Sequence, residues 1–84
     1  MRDTIKMYST PWCGDCRRAK MIFKSEGVAY EEIDISEDAE AIAYVEKINN
    51  GYRSVPTIVF SDGTILVEPS SPELVNKLRA LRES

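Results

Sequence analysis

The sequence predicts an α/β domain in which a four-stranded mixed sheet carries helices on both faces, in the order β-α-β-α-β-β-α. Three observations predict it. Short segments with strand-like apolar patterns alternate with longer segments of helical period. Helix start and stop residues fall where the pattern changes. Near the end, two apolar runs flank Asp62-Gly63, a strong hairpin signal.

Thr4 to Tyr8 places Ile5 and Met7 on one face of a short strand. Ser9-Thr10-Pro11-Trp12 is a loop. From Gly14 to Glu26, Cys16, Ala19 and Phe23 recur on one helical face with Ile22 beside them, and Gly27 stops the helix. Val28 to Ile35 is rich in β-branched and aromatic residues. Its alternation slips in phase at Glu31-Glu32, which suits a sheet edge. Ser36 is the expected N-cap of the second helix, with Glu37, Asp38 and Glu40 in a first turn that favours anions. Ala41, Val45 and Ile48 form its buried stripe, and Asn49-Asn50-Gly51 ends it. Thr57 to Phe60 and Thr64 to Val67 are the hairpin strands. Ser71 as N-cap and Pro72 at the first helical position open the last helix, whose stripe is Leu74, Leu78 and Leu81. The first three elements form a parallel crossover, for which right-handedness is the rule.

Composition narrows the function classes. The 84 residues suit one small domain, 1–84, and 43% hydrophobic with 30% charged residues is the mix of a soluble globule. A net charge of −3 argues against nucleic acid, whose binding needs a basic face. No apolar run is long enough to span a membrane. Met1-Arg2-Asp3-Thr4 leads straight into structure without the apolar stretch of a signal peptide, so the cytoplasm is the expected address.

That address changes the meaning of the two cysteines, Cys13 and Cys16. Reducing compartments disfavour structural disulfides, and a bridge between residues three apart would staple almost nothing. Cys13-Gly14-Asp15-Cys16 is a C-x-x-C at a strand–loop–helix junction. Cys13 falls at the helix start, where unpaired backbone N–H groups and the helix dipole stabilise a thiolate. Cys16 lies one turn on, close enough to attack a disulfide made at Cys13. The chain contains no His, so a Cys–His mechanism is excluded. Arg17, Arg18 and Lys20 follow the motif and are either nearby cations or the wet face of the helix. Asp15 opposes the thiolate by about 0.5 kcal/mol at ~8 Å in a water-like medium, too little to disable it.

A lone C-x-x-C also fits two ordinary cysteines on a helix. A second, independent feature is Val55-Pro56-Thr57, which opens the third strand, the one strand position a proline tolerates well. A cis bond there would turn the Val55 backbone toward an extended substrate; a trans turn proline is the commoner alternative.

With both features placed, the sequence resembles the glutaredoxins, of thioredoxin-like fold, over nearly the whole chain. The resemblance rests on Trp12-Cys13-Gly14-Asp15-Cys16, on Arg53-Ser54-Val55-Pro56-Thr57 and on Ser61-Asp62-Gly63-Thr64. It extends to the actinobacterial subgroup called mycoredoxins through Trp-Cys-Gly-x-Cys and the stretch Asn50 to Thr57. It implies that Cys13 attacks a mixed disulfide between a low-molecular-weight thiol and a protein, that Cys16 is the buried resolving thiol, and that Pro56 is cis. It implies a thiol-binding set of Trp12, Gly14, Arg53, Ser54, Val55 and Pro56, with Ser70 and Ser71 at the turn before the last helix. It implies no tightly bound cofactor and no metal, a monomer, and as partners a small thiol and disulfide-containing proteins. Mycothiol, bacillithiol and glutathione are the thiols in question. Glutathione-using members carry a Lys three residues before the first cysteine and a Gly-Gly-x-Asp-Asp turn before the last helix. Here those places hold Thr10 and Glu68-Pro69-Ser70-Ser71-Pro72, which suit mycothiol or bacillithiol better. The usual Pro after the first cysteine is replaced by Gly14.

Other residues have plainer readings. Tyr8 reads as core, Tyr30 and Tyr44 as structural, and Glu68 and Glu83 as solvated charge. Trp12 fits either substrate contact or loop packing, and Arg53 either a groove cation or an ordinary surface residue. Two rival functions stay open. One is a thioredoxin-like electron donor re-reduced by a flavoprotein reductase. The other is a module holding a 2Fe-2S cluster between two chains, which Gly14 would permit; zinc needs four ligands, and two cysteines with no His leave two places empty.

Overall fold

A computed structural model of the chain describes residues 4–83. The reading of Met1 to Asp3 and that of the Glu83 side chain lie outside what it describes.

The elements are β1 (Lys6–Ser9), α1 (Gly14–Glu26), β2 (Glu31–Asp34), a 3-10 turn (Ile35–Glu37), α2 (Ala39–Ile48), β3 (Thr57–Val59), β4 (Ile65–Val67) and α3 (Ser71–Glu83). The sheet order is β2-β1-β3-β4. β1 and β2 run parallel, with Tyr8 opposite Ile33. β1–β3 and β3–β4 are antiparallel, with Met7 opposite Ile58 and Ile58 opposite Leu66. This is the thioredoxin-like arrangement expected from the pattern, with β2 at an edge.

Alternation along β1 splits the core in two. Ile5 and Met7 pack with Ala19 and Phe23 of α1, Leu74 and Leu78 of α3, and Ile58. Tyr8 faces the other way, onto Ile35, Ala41 and Val45 under α2. Tyr30 stacks on Phe23 with ring centroids 4.3 Å apart, and Tyr44 meets Tyr8 at 5.2 Å.

Several boundaries differ from expectation, each for a local reason. β2 begins at Glu31 rather than Val28. The Val28 N–H closes a Schellman motif on the Phe23 carbonyl at 3.0 Å, with Gly27 in the left-handed region at φ 68°, so it cannot join the ladder. Ser36 does not cap α2. The Asp34 carboxylate accepts both the Ser36 N–H (2.8 Å) and its hydroxyl (2.6 Å), which winds the 3-10 turn; Asp38 caps α2 through the Ala41 N–H at 3.1 Å. At α3 the cap is Ser70, not Ser71. The Ser70 hydroxyl accepts the Glu73 N–H at 3.2 Å, and the Glu73 carboxylate accepts the Ser70 N–H at 3.3 Å, a capping box that needs an acid three residues on. The hairpin is tied by a Gly63 N–H to Phe60 carbonyl bond at 3.0 Å and a Phe60 N–H to Thr64 carbonyl bond at 2.8 Å, a three-residue loop with Gly63 at φ 89°.

Candidate active site

The loop after β1 delivers Cys13 to the N-cap of α1, with extended backbone (φ −87°, ψ 113°). Its Sγ accepts the Cys16 N–H at 3.0 Å, taking the place that a Ser or Asp side chain fills at an ordinary N-cap. One otherwise unpaired helix donor thus points at the sulfur, and the positive end of the helix lies beneath it. The Cys13 N–H bonds the Thr10 carbonyl at 3.3 Å, so the loop itself fixes the cap. Asp15, exposed in the first turn, pairs with Arg18 at 3.0 Å, which balances its charge locally. Lys20 pairs with Glu32 at 3.2 Å. Arg17 is exposed and makes no ion pair among the described residues. A Cβ at Gly14 would meet nothing within 4 Å.

Cys16 is the opposite case. It is only 1% exposed, against the intermediate exposure of Cys13. Burial pushes its thiol up to about 12, and the hydrogen bond with the Cys13 side chain adds to the shift. The Thr10 backbone pulls weakly the other way. Cys16 is therefore a neutral thiol at physiological pH.

The segment before β3 closes over Cys13. The Val55–Pro56 bond is cis. The Val55 carbonyl accepts the Cys13 thiol at 3.7 Å, a long contact between residues 42 apart in sequence. Two groups, the buried Thr57 and the half-buried Asn49, hold this turn. The Thr57 hydroxyl donates to the Ser54 carbonyl at 2.7 Å, and the Asn49 amide donates to the Thr57 hydroxyl at 3.2 Å and to the Val45 carbonyl at 3.0 Å. The end of α2 is thus tied to the start of β3. Arg53 points its Nε at Glu46, 2.8 Å away. Trp12 is 74% exposed.

The structure brings Trp12, Cys13, Gly14 and Cys16 together with Val55 and Pro56, and sets Arg53 and Ser54 on the same turn. A cleft beside this cluster is lined in part by Trp12, Arg53 and Val55. Ser70 and Ser71 do not line it; they stand at the start of α3, with Ser70 held in the capping box. Sequence reasoning did not single out the roles of Asn49 and Thr57. It also missed Thr10 Oγ1, which is buried and has no hydrogen-bond partner among the described residues. Asn49 had a faint signal, an amide at a helix end; the pairing of Thr57 needs the fold. Among the described residues no group of three or more His, Cys, Asp or Glu could hold a metal ion.

The glutaredoxin family model matches residues 5–65. The chain belongs to the glutaredoxin family. It is a thiol–disulfide oxidoreductase with a C-x-x-C pair. A Mycobacterium tuberculosis protein whose name provisionally assigns it to the glutaredoxins is 40% identical over 74 residues, 88% of each chain. Mycoredoxin 1 of Corynebacterium glutamicum is 38% identical over 77 residues, 92% of this chain and 95% of that one. Among solved structures, the thioredoxin-like protein BC3987 superposes with a TM-score of 0.70 at 34% identity, covering 92% of this glutaredoxin and 97% of that protein. No helix among the described residues is long and apolar enough to cross a membrane.

Proposed function

We propose that this glutaredoxin reduces mixed disulfides between a low-molecular-weight thiol and a protein, with Cys13 as nucleophile and Cys16 as resolving thiol. The Cys13 thiolate attacks the disulfide and forms a new S–S bond to the small thiol. The protein cysteine leaves as a thiolate and takes up a proton. Cys16 then loses its proton and attacks Cys13 Sγ, which expels the small thiol and leaves a Cys13–Cys16 disulfide. Two electrons from further small thiol, or from a flavoprotein reductase, restore the pair.

One observation carries this reading: the same turn of α1 that aims a backbone N–H at the half-exposed Cys13 sulfur keeps Cys16 buried and protonated behind it. The first thiol is placed to react with what arrives from solvent, and the second only with what the first has bound. Trp12, Arg53, Ser54, Val55 and Pro56 form the surface that the incoming thiol meets. The half-buried Val55 turn offers its backbone to an extended partner. The Thr10 and Ser70-Ser71 departures favour mycothiol or bacillithiol over glutathione, and the mycoredoxin relative agrees with that preference. A reducing cytoplasm suits a pair that must return to the dithiol state.

A Cys16→Ser variant tests the reading. Incubated in cell extract and analysed by mass spectrometry, it accumulates the small thiol as a disulfide on Cys13, and the added mass names the thiol. An unmodified Cys13 would instead favour the donor re-reduced by a flavoprotein. Exchange kinetics with defined mixed disulfides of glutathione, mycothiol and bacillithiol rank the three.

A further inference from the structure

A carboxylate stands on the α1 side of the sheet, behind the two cysteines. Glu32 is opposite Met7 in the parallel pair of β1 and β2, so its side chain shares a face with Met7 and, two residues on, with Ser9. Met7 packs against Ala19 and Phe23 of α1, the stripe to which the buried Cys16 belongs. Two groups hold the carboxylate. The hydroxyl of Ser9, itself only 1% exposed, donates to Glu32 Oε2 at 2.8 Å. Lys20 Nζ, one helical turn beyond Cys16, lies 3.2 Å from the same oxygen. Both contacts fall on Oε2, which leaves Oε1 to accept from a further donor. The cluster borders an open cleft lined by Ser9, Pro11, Lys20, Glu32 and Asp34. Glu32 is thus fixed in place and exposed to water, while Cys16 is sealed from it.

The resolving step needs such a group. Cys16 must shed its proton for its sulfur to attack, and its burial denies that proton a direct route to solvent. Burial first, and then the Cys13 side chain, hold the proton on Cys16, with the Glu32 charge a smaller influence in the same direction. The two groups are therefore within electrostatic reach of each other. Once Cys13 is engaged in a mixed disulfide, its share of that hold is gone. Resting on the reading of Cys13 as nucleophile and Cys16 as resolving thiol, we propose that Glu32 takes the Cys16 proton through a water molecule in the cleft as Cys16 attacks, with Ser9 and Lys20 as positioning residues. The Cys16 S–H bond breaks, its proton passes to the carboxylate, the Cys16–Cys13 S–S bond forms, and the small thiol leaves as a thiolate. That thiolate, or solvent, then takes the proton from Glu32 and restores the carboxylate. The other titratable groups facing this spot are Cys13 and Lys20 from α1, and Tyr30 and Asp34 on either side of Glu32; β1 contributes the uncharged Ser9.

The aromatic disulfide DTNB separates the two steps, because each releases one coloured thiolate. Mixed in stopped flow with an equal concentration of the reduced protein, it gives a first release when Cys13 attacks and a second when Cys16 resolves. A Cys16→Ser variant shows the first release alone. In Glu32→Gln, which keeps an acceptor for the Ser9 hydroxyl, the first phase is expected unchanged and the second roughly tenfold slower at pH 7. The deficit shrinks as pH rises toward about 9, where hydroxide supplies the base. Glu32→Asp, which restores a carboxylate, recovers part of the rate. A second phase that is unchanged or faster in Glu32→Gln overturns the proposal; a faster one is what the loss of a neighbouring negative charge alone would produce. A Glu32→Asp variant as slow as Glu32→Gln overturns it too, as does an equal loss of both phases in Glu32→Gln, the mark of a purely structural role. A wild-type protein that gives no first release sinks the Cys13 reading itself, and the role of Glu32 with it.

Discussion

Replacing Thr57 by Val keeps the shape of a fully buried side chain and removes only its hydroxyl. That hydroxyl donates to the Ser54 carbonyl at 2.7 Å and accepts from Asn49 Nδ2 at 3.2 Å. Two groups lose a partner. A buried polar group left unpaired costs about 1–3 kcal/mol. Ser54 is half-buried and water can reach its carbonyl, so it falls at the low end. Asn49 keeps its bond to the Val45 carbonyl, so its loss is also partial. The sum is about 2 kcal/mol, less a few tenths for the added methyl. For a domain of this size that lowers Tm by roughly 10 °C. The urea midpoint falls by between about 1 and 2 M. The same change frees the turn that holds the Val55 carbonyl against Cys13, so exchange slows severalfold at 25 °C in protein that is still folded. Urea titration measures the first effect and single-turnover exchange the second. A double-mutant cycle with Asn49→Ala should give a coupling of about 1 kcal/mol. If Thr57→Val lies within about 0.5 kcal/mol of wild type, the range of an ordinary surface substitution, then this hydroxyl does not tie α2 to the turn and the reasoning is wrong.

Thr10→Val should act in the opposite direction. It removes a buried hydroxyl without a partner among the described residues, so stability rises by up to about 1 kcal/mol, read as a higher urea midpoint; a loss would mean the hydroxyl has an unrecognised role. Stability should also depend on pH through Cys16, whose folded thiol is held at about 12 while the unfolded one titrates near its ordinary value. The unfolded chain then binds fewer protons than the native one above pH ~9, so the contribution is complete below that pH and is lost as pH rises toward 12. Urea midpoints from pH 7 to 10.5 under reducing conditions should fall less steeply in Cys16→Ala than in wild type. At the acid end, hydrogen bonds from Arg79 and Arg82 hold the Glu26 carboxyl below the usual range. Its contribution is present above the ordinary Glu value and lost as pH falls through the lowered one, so Glu26→Gln should flatten the acid limb of the stability curve.

The fold was legible because its signals are local. The apolar stripe Cys16, Ala19, Phe23 is the buried face of α1, and Gly27 sits where an αL residue must end it. The phase slip at Glu31-Glu32 marked an edge strand because only an edge tolerates outward charge on adjacent positions. What failed was the choice among neighbouring cap residues. Ser36 and Ser71 both have the right chemistry, but a carboxylate two residues earlier captures Ser36, and an acid three residues later selects Ser70. Those selections depend on competing partners within a few residues and escape a residue-by-residue reading. The site divided in the same way. Cys13 and Cys16 were visible as a motif. The Asn49–Thr57–Ser54 chain was not, because it joins a helix end to a strand start, and only the packed fold sets those atoms within hydrogen-bonding distance. Nor could Ile35 and Ile42 be recognised as walls of a cleft, since along the chain they are simply two more apolar residues near a helix.

The two cysteines differ by three residues and by little else in the sequence, yet one helix turn places them in opposite environments. At the N-cap, sulfur meets a backbone donor and is partly open to solvent. One turn inward, sulfur is buried, and burial favours the proton. That difference orders the chemistry. On the proposed mechanism, an incoming disulfide encounters only Cys13. Cys16 becomes a competent attacker only when its proton has somewhere to go, and its target is then already bonded to the sulfur beside it. Proximity replaces acidity for the second thiol: a neighbour held within one turn enjoys a large effective concentration, which offsets a low thiolate fraction. Moving the motif one residue along α1 would swap neither side chain but would turn both sulfurs away from these environments. On the proposed mechanism, the position of the helix start is therefore the property that makes two identical thiols into a nucleophile and its successor.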